Sequence, residues 1–274
     1  MSLNLKGIAR LLAGIAALLA LALTTAPCQA SLADPLSPAT AINKAGRQRM
    51  LSQRIVKIYC QVGMSLSTNK SKALLENSIN LFESQLLELS HYSDKPEINE
   101  LVAREANAWS RIKPIVVESA TQEGAKKLVS LSEDLLQAAD QLTKAIEKHS
   151  NLKTAHLVNL SGRQRMLSQR IAKFYMLEQW GIKDNGIAKE MELAESEFVA
   201  ALNELEASPQ NTRQIIHALI DARIQWKHFQ VALAEQQNQG ADTGTAMMAA
   251  FASEHLLEAM DKVTALYEEA AVGQ

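Results

Sequence analysis

The chain has little of what builds sheets, disulfide scaffolds or common catalytic sites. Phe, Tyr and Trp make up only 4% of its 274 residues, and Gly and Pro number 11 and 6. Ala, Leu, Glu, Gln and Lys abound instead, which favours helices and argues against a sheet protein. There are two cysteines, Cys28 and Cys60. If Cys28 is lost with a targeting signal, no internal disulfide can form, and Cys60 reads as a small buried apolar residue. The net charge of −2, with no basic patch interleaved with aromatics, excludes a nucleic-acid partner. P-loop, dinucleotide and nucleophile-elbow patterns are all missing, so no enzyme is expected. The six histidines form no ligand cluster by spacing, so neither a metal nor another cofactor is expected.

Long apolar runs are also scarce. The one of note, Leu11 to Leu23, follows Lys6 and Arg10 and ends in Thr24-Thr25-Ala26-Pro27-Cys28-Gln29-Ala30. It is too short to span a bilayer comfortably and reads as a signal peptide over residues 1–30, cleaved after Ala30. Lipid anchoring through Cys28 is the alternative, and Pro27 directly before it argues against that. The remaining chain, with a net charge of −4, is expected to be soluble, exported and periplasmic.

What the chain does have is a repeat. Gly46-Arg47-Gln48-Arg49-Met50-Leu51-Ser52-Gln53-Arg54-Ile55 returns letter for letter as Gly162 to Ile171. Ten identical residues mark an internal duplication. Phe82, Leu86 and Leu89 map onto Phe198, Leu202 and Leu205 at the same offset, and Trp109 maps near Trp226. Leu135 to Asp140 resembles Leu256 to Asp261 at a slightly larger offset. Each unit therefore holds a whole four-helix bundle, the first over residues 31–150 and the second over 151–274.

Local signals place the helices. Ser37-Pro38 caps and starts the first. The second covers about Ser71 to Ser90, the third starts at Pro96 and bends near Pro114, and the fourth opens near Ala125. Trp109 and Trp226 should fill equivalent core positions, and Met247, Met248 and Phe251 read as a helix start with its packing residues. No Gly or Pro lies between Gly124 and Gly162. This favours one continuous helix from Ala125 to Trp180, about 80 Å long, with the bundles stacked end to end. The competing arrangement is a turn at His149-Ser150-Asn151.

On a helix Asn43, Arg47, Met50, Arg54 and Lys57 share one stripe, while Arg49 points nearly the opposite way. Arg47 and Arg49 cannot both be solvated in a packed bundle, and the same holds for Arg163 and Arg165. A buried arginine needs an anion or a dense acceptor network, and the motif carries no acidic residue. The planar guanidinium suits an oxyanion or a carboxylate. Two readings stay open: a bound anion, or ion pairs to neighbouring helices, with the repeat preserving only packing.

Ile42-Asn43-Lys44-Ala45-Gly46-Arg47-Gln48-Arg49-Met50-Leu51-Ser52-Gln53-Arg54 resembles the signature of PilJ-type sensor domains, the N-terminal domains of type IV pilus methyl-accepting chemotaxis transducers. It is also similar to the first-helix motif of NarX-like nitrate/nitrite sensor kinases. There, an arginine binds nitrate where the first helices of two protomers meet. The resemblance places that arginine at Arg49 and Arg165, with Asn43, Gly46, Asn159 and Gly162 matching and Arg47 and Arg163 beside them. Gln48 and Gln164 stand where the nitrate sensors have an apolar residue, and Gln53 and Gln169 where they have an aromatic one.

The resemblance implies an all-α sensory protein that binds a small, nitrate- or nitrite-like oxyanion. It would relay the bound state to a membrane receptor or a chemosensory or pilus partner. In stacked bundles the arginines would lie far apart, each meeting its mate in a homodimer; a chain folded back at Ser150 would bring them together in one molecule. The alternative function is a structural adaptor that binds no ligand.

Overall fold

The computed structural model describes residues 36–239 and 243–272. The expected signal peptide lies outside the described residues. The described residues form eight helices: α1 Pro38–Gly63, α2 Thr68–Ser90, α3 Pro96–Val116, α4 Gln122–His149, α5 Ala155–Gln179, α6 Asn185–Glu206, α7 Arg213–Gln239 and α8 Thr243–Val272. None of them is long and apolar enough to cross a membrane.

The helix ends follow local chemistry. The Ser37 hydroxyl accepts from the Thr40 amide at 3.1 Å, with Pro38 at the first position. Thr121 accepts from the Gly124 amide at 3.0 Å and so starts α4. Pro114 sits inside α3, two residues from its end.

The continuous helix does not form. The Ser150 hydroxyl donates to the Glu147 carbonyl at 2.7 Å and accepts from the Leu152 amide at 3.3 Å. Asn151 takes φ 55°, the left-handed conformation that asparagine tolerates better than most residues. These two residues turn the chain back within five positions, and α5 begins at Ala155. The halves therefore lie side by side rather than end to end.

Within each half the first helix packs on the second and fourth, and the third packs on the fourth. The closest association in the molecule is between α1 and α5. They run parallel: Gly46 meets Gly162 near one end, and Tyr59 and Gly63 meet Trp180 near the other. An approximate two-fold axis thus runs between them. Each half keeps an aromatic pair in its core, Phe82 with Trp109 and Phe198 with Trp226, both with ring centroids 4.4 Å apart. Cys60 is buried, and burial pushes its thiol up to about 12. Met248 and Phe251 do not pack inward: both are exposed on α8, with the Lys70 ammonium over the Phe251 ring at 4.7 Å.

Candidate functional site

The repeated motif forms a polar seam down the centre of the molecule. Gln48, Arg49, Ser52, Gln53 and Lys57 on α1 are buried, as are Gln164, Arg165, Ser168, Gln169 and Lys173 on α5. A polar core is stable only where its groups are bonded. Gln48 donates to the Phe82 carbonyl at 2.9 Å and Gln164 to the Phe198 carbonyl at 2.8 Å. Gln53 donates to the Ser132 carbonyl at 3.3 Å and Gln169 to the Ser253 carbonyl at 3.0 Å.

At the middle of the seam the two arginines face each other. Arg49 is 1% exposed and Arg165 fully buried. Arg49 Nη1 donates to Asp140 Oδ1 at 2.8 Å, and its Nη2 donates to the side-chain oxygen of Asn159 at 2.6 Å and to its carbonyl at 3.1 Å. Arg165 repeats this with Asp261 at 2.7 Å and Asn43 at 2.7 and 3.2 Å. Each arginine takes its aspartate from its own half and its asparagine from the other. Asn43 and Asn159 donate in turn to Glu268 and Glu147, which aims their side-chain oxygens at the guanidinium groups. Burial pulls both arginine pKa values below the ordinary one, against the opposing pull of Asp140 and Asp261. Arginine nonetheless stays charged, so the seam holds two permanent cations.

The glycines make the room. A Cβ on Gly46 would sit 3.2 Å from Arg49 Nη2, 3.6 Å from Arg165 Nη2 and 3.9 Å from the Gly162 Cα. Gly162 is the mirror case, with 3.2 Å to Arg165 Nη2 and 3.5 Å to Arg49 Nη2. The two guanidinium groups therefore lie close against the backbone at Gly46 and Gly162, where any side chain would crowd them. The Nε of each arginine is buried without a hydrogen-bond partner, so each keeps one donor in reserve.

Arg49, Arg165, Asn43, Asn159, Gly46 and Gly162 are thus brought together. Arg47 and Arg163 stand at the edge of this group, beside the aspartates that hold Arg165 and Arg49. They lie on the outer faces, 28% and 34% exposed, Arg47 3.4 Å from Asp261 and Arg163 2.7 Å from Glu197. The opposition of Arg47 to Arg49 read from helical geometry is what the fold shows. The counter-ions Asp140 and Asp261 are the residues that motif-centred reasoning missed. Their signal was available: Ser132, Glu133, Asp140, Thr143 and Glu147 recur as Ser253, Glu254, Asp261, Thr264 and Glu268 at one constant offset. Glu133 and Glu254 belong to the same pattern and bind across the halves, Glu133 to Lys173 and Glu254 to Lys57.

Among the described residues no three His, Cys, Asp or Glu side chains gather where they could hold a metal ion. Residues 32–145 and 148–246 each match the protein-family model PilJ, "Type IV pili methyl-accepting chemotaxis transducer N-term". No curated protein and no solved structure matches the chain.

Proposed function

Because this chain belongs to the PilJ family of chemotaxis-transducer sensor domains, in two tandem copies, we propose that it senses a small oxyanion through Arg49 and Arg165. The family is non-catalytic and its domains are typically extracytoplasmic. The observation that carries the ligand reading is the convergence of two buried guanidinium groups beside Gly46 and Gly162, each with an unpartnered Nε. A planar anion such as nitrate or nitrite would bridge the pair, and Asn43 and Asn159 would readjust with it. Its entry would shift α1 against α5, and that shift is the signal to pass on. The chain would work in the periplasm, after loss of its leader, and relay to a membrane receptor or pilus-associated partner.

The test is thermal denaturation with nitrate, nitrite, sulfate and chloride at matched ionic strength. A ligand that binds only the folded state adds about 2.7 kcal/mol at a hundredfold excess over its dissociation constant. Selective stabilisation by nitrate or nitrite is expected. It should vanish in Arg49→Lys with Arg165→Lys, which keeps the charge but loses the planar fork. No selective shift, or one that survives the double substitution, overturns the reading.

A second reading has its own support. Asp140 and Asp261 already neutralise the two arginines, as a purely structural seam would require. The chain would then be an adaptor. In that case the double lysine variant changes stability or assembly and leaves the anion response unaltered.

A further inference from the structure

The duplication supplies an internal control for charge, and at one place the two halves do not balance. In one cluster Arg170 donates to Glu133 at 2.8 Å and to Glu190 at 2.7 Å, and Lys173 donates to Glu133 at 2.6 Å. Two cations there meet two carboxylates. In the matching cluster Arg54 and Lys57 both bind Glu254, and the second carboxylate is absent. Leu74 occupies the position that corresponds to Glu190. The remaining arm of Arg54, Nη1, has only the Ser78 hydroxyl at 3.3 Å. Burial pushes the Glu254 carboxyl up, but Lys57 and Arg54 outweigh it and hold it at about 2. Arg54 is therefore left without the second carboxylate that Arg170 has.

Arg54 lines a cavity of about 370 Å³ between α1, α2 and α8, together with Lys70, Glu254 and Glu258. Its apolar wall is Leu66, Leu74, Met247 and Phe251. Gln61, only 5% exposed, also lines it, and among the described residues its side-chain amide has no hydrogen-bond partner. Its amide is free to bond a molecule that enters the cavity. The turn at the rim holds Ser65 and Ser67 at φ 60° and 45°, left-handed conformations that are uncommon outside glycine, asparagine and aspartate. His255 and Glu258 stand exposed at the mouth.

We infer that this cavity binds a small monocarboxylate with an apolar tail. The carboxylate takes the place beside Arg54 that Glu190 holds beside Arg170, and it bonds Gln61. The tail lies against Leu66, Leu74 and Phe251. The apolar wall selects against a bare inorganic ion. The site shares no residue with the Arg49 and Arg165 pair and stands or falls separately.

Calorimetric titration of the purified protein with hexanoate, acetate and hexanamide at fixed ionic strength tests this. Hexanoate should bind saturably with one site per chain, more tightly than acetate. Hexanamide, which lacks the charge, should bind at least about tenfold more weakly. Leu74→Glu installs the carboxylate that the other cluster already has; it should abolish hexanoate binding while leaving the protein folded. Phe251→Ala changes only an exposed wall residue, and should weaken hexanoate more than acetate. Arg49→Lys with Arg165→Lys should leave hexanoate binding unchanged. The proposal is overturned by no saturable hexanoate binding, by equal binding of hexanamide, or by unaltered hexanoate binding in Leu74→Glu.

Discussion

In the second half of the molecule, the outer arginines of the motif each have a glutamate from the following helix: Arg163 has Glu197 and Arg170 has Glu190. In the first half the corresponding positions are Leu81 and Leu74. Arg47 is left with Asp261 at 3.4 Å, and Arg54 shares Glu254 with Lys57. The same ten residues thus sit in a neutralised setting in one half and an electrically open one in the other. A duplicated segment need not keep a duplicated role. One copy can brace the fold while the other stays unsaturated, and only the neighbouring helices tell them apart.

The sharpest way to break the comparison is a residue with no counterpart. Glu105 is fully buried, neither of its oxygens has a hydrogen-bond partner, and burial raises its pKa to about 8. The aligned position in the second half is Ala222. A carboxyl whose folded pKa exceeds its unfolded one is tolerated while it is protonated. Stability should be unaffected below the ordinary value of 4.5, fall as pH rises to about 8 and level off above that. The slope is about 1.4 kcal/mol per pH unit and the total loss up to about 5 kcal/mol. Urea midpoints from pH 5 to pH 9 check it. Glu105→Met should remove the decline, and a variant that still declines equally would clear Glu105 of the effect.

Next in size is the arginine pair itself. Removing one partner of a fully buried ion pair costs about 3–5 kcal/mol; Asp140 and Asp261 are 19% and 37% exposed, so each loss should be smaller than that. Arg49→Ala leaves Asp140 with Lys144 at 2.6 Å and Arg163 at 4.0 Å, whereas Arg165→Ala leaves Asp261 with Arg47 alone, at 3.4 Å. Arg165→Ala should therefore be the more destabilising in equilibrium unfolding. Equal costs would mean that the flanking cations give no compensation.

The smallest contrast is at the helix starts. Ser37 caps α1, while Thr154 makes no capping bond to α5 and its hydroxyl is buried without a partner. Ser37→Ala should cost about 1 kcal/mol. Thr154→Val should cost nothing or stabilise slightly, because it removes an unbonded polar atom. Thermal midpoints distinguish the two.

Much of this was legible in the residues. Ser37-Pro38 marked a helix start, the aromatic pairs sat at matching offsets, and helical geometry required one arginine of each pair to be buried. The chain reversal was less legible. Ser150 and Asn151 carry a turn signal, but no Gly or Pro supports it, and local propensity alone favours continuing the helix. The cavity beside Arg54 was not legible, because its ion pairs exist only where α8 brings Glu254 against α1.

The sequence by itself determined that the protein is helical, that it is a tandem duplication, and that a buried guanidinium lies at the centre of each copy. These follow from periodicity and spacing along a single helix, which are local properties. Tertiary structure alone decided that α1 and α5 run parallel in one molecule, that Asp140 and Asp261 answer the arginines, and that Arg54 lacks the second carboxylate that Arg170 has. Each of these depends on contacts between helices distant along the chain. Such contacts are set by which faces meet after the chain turns at Asn151.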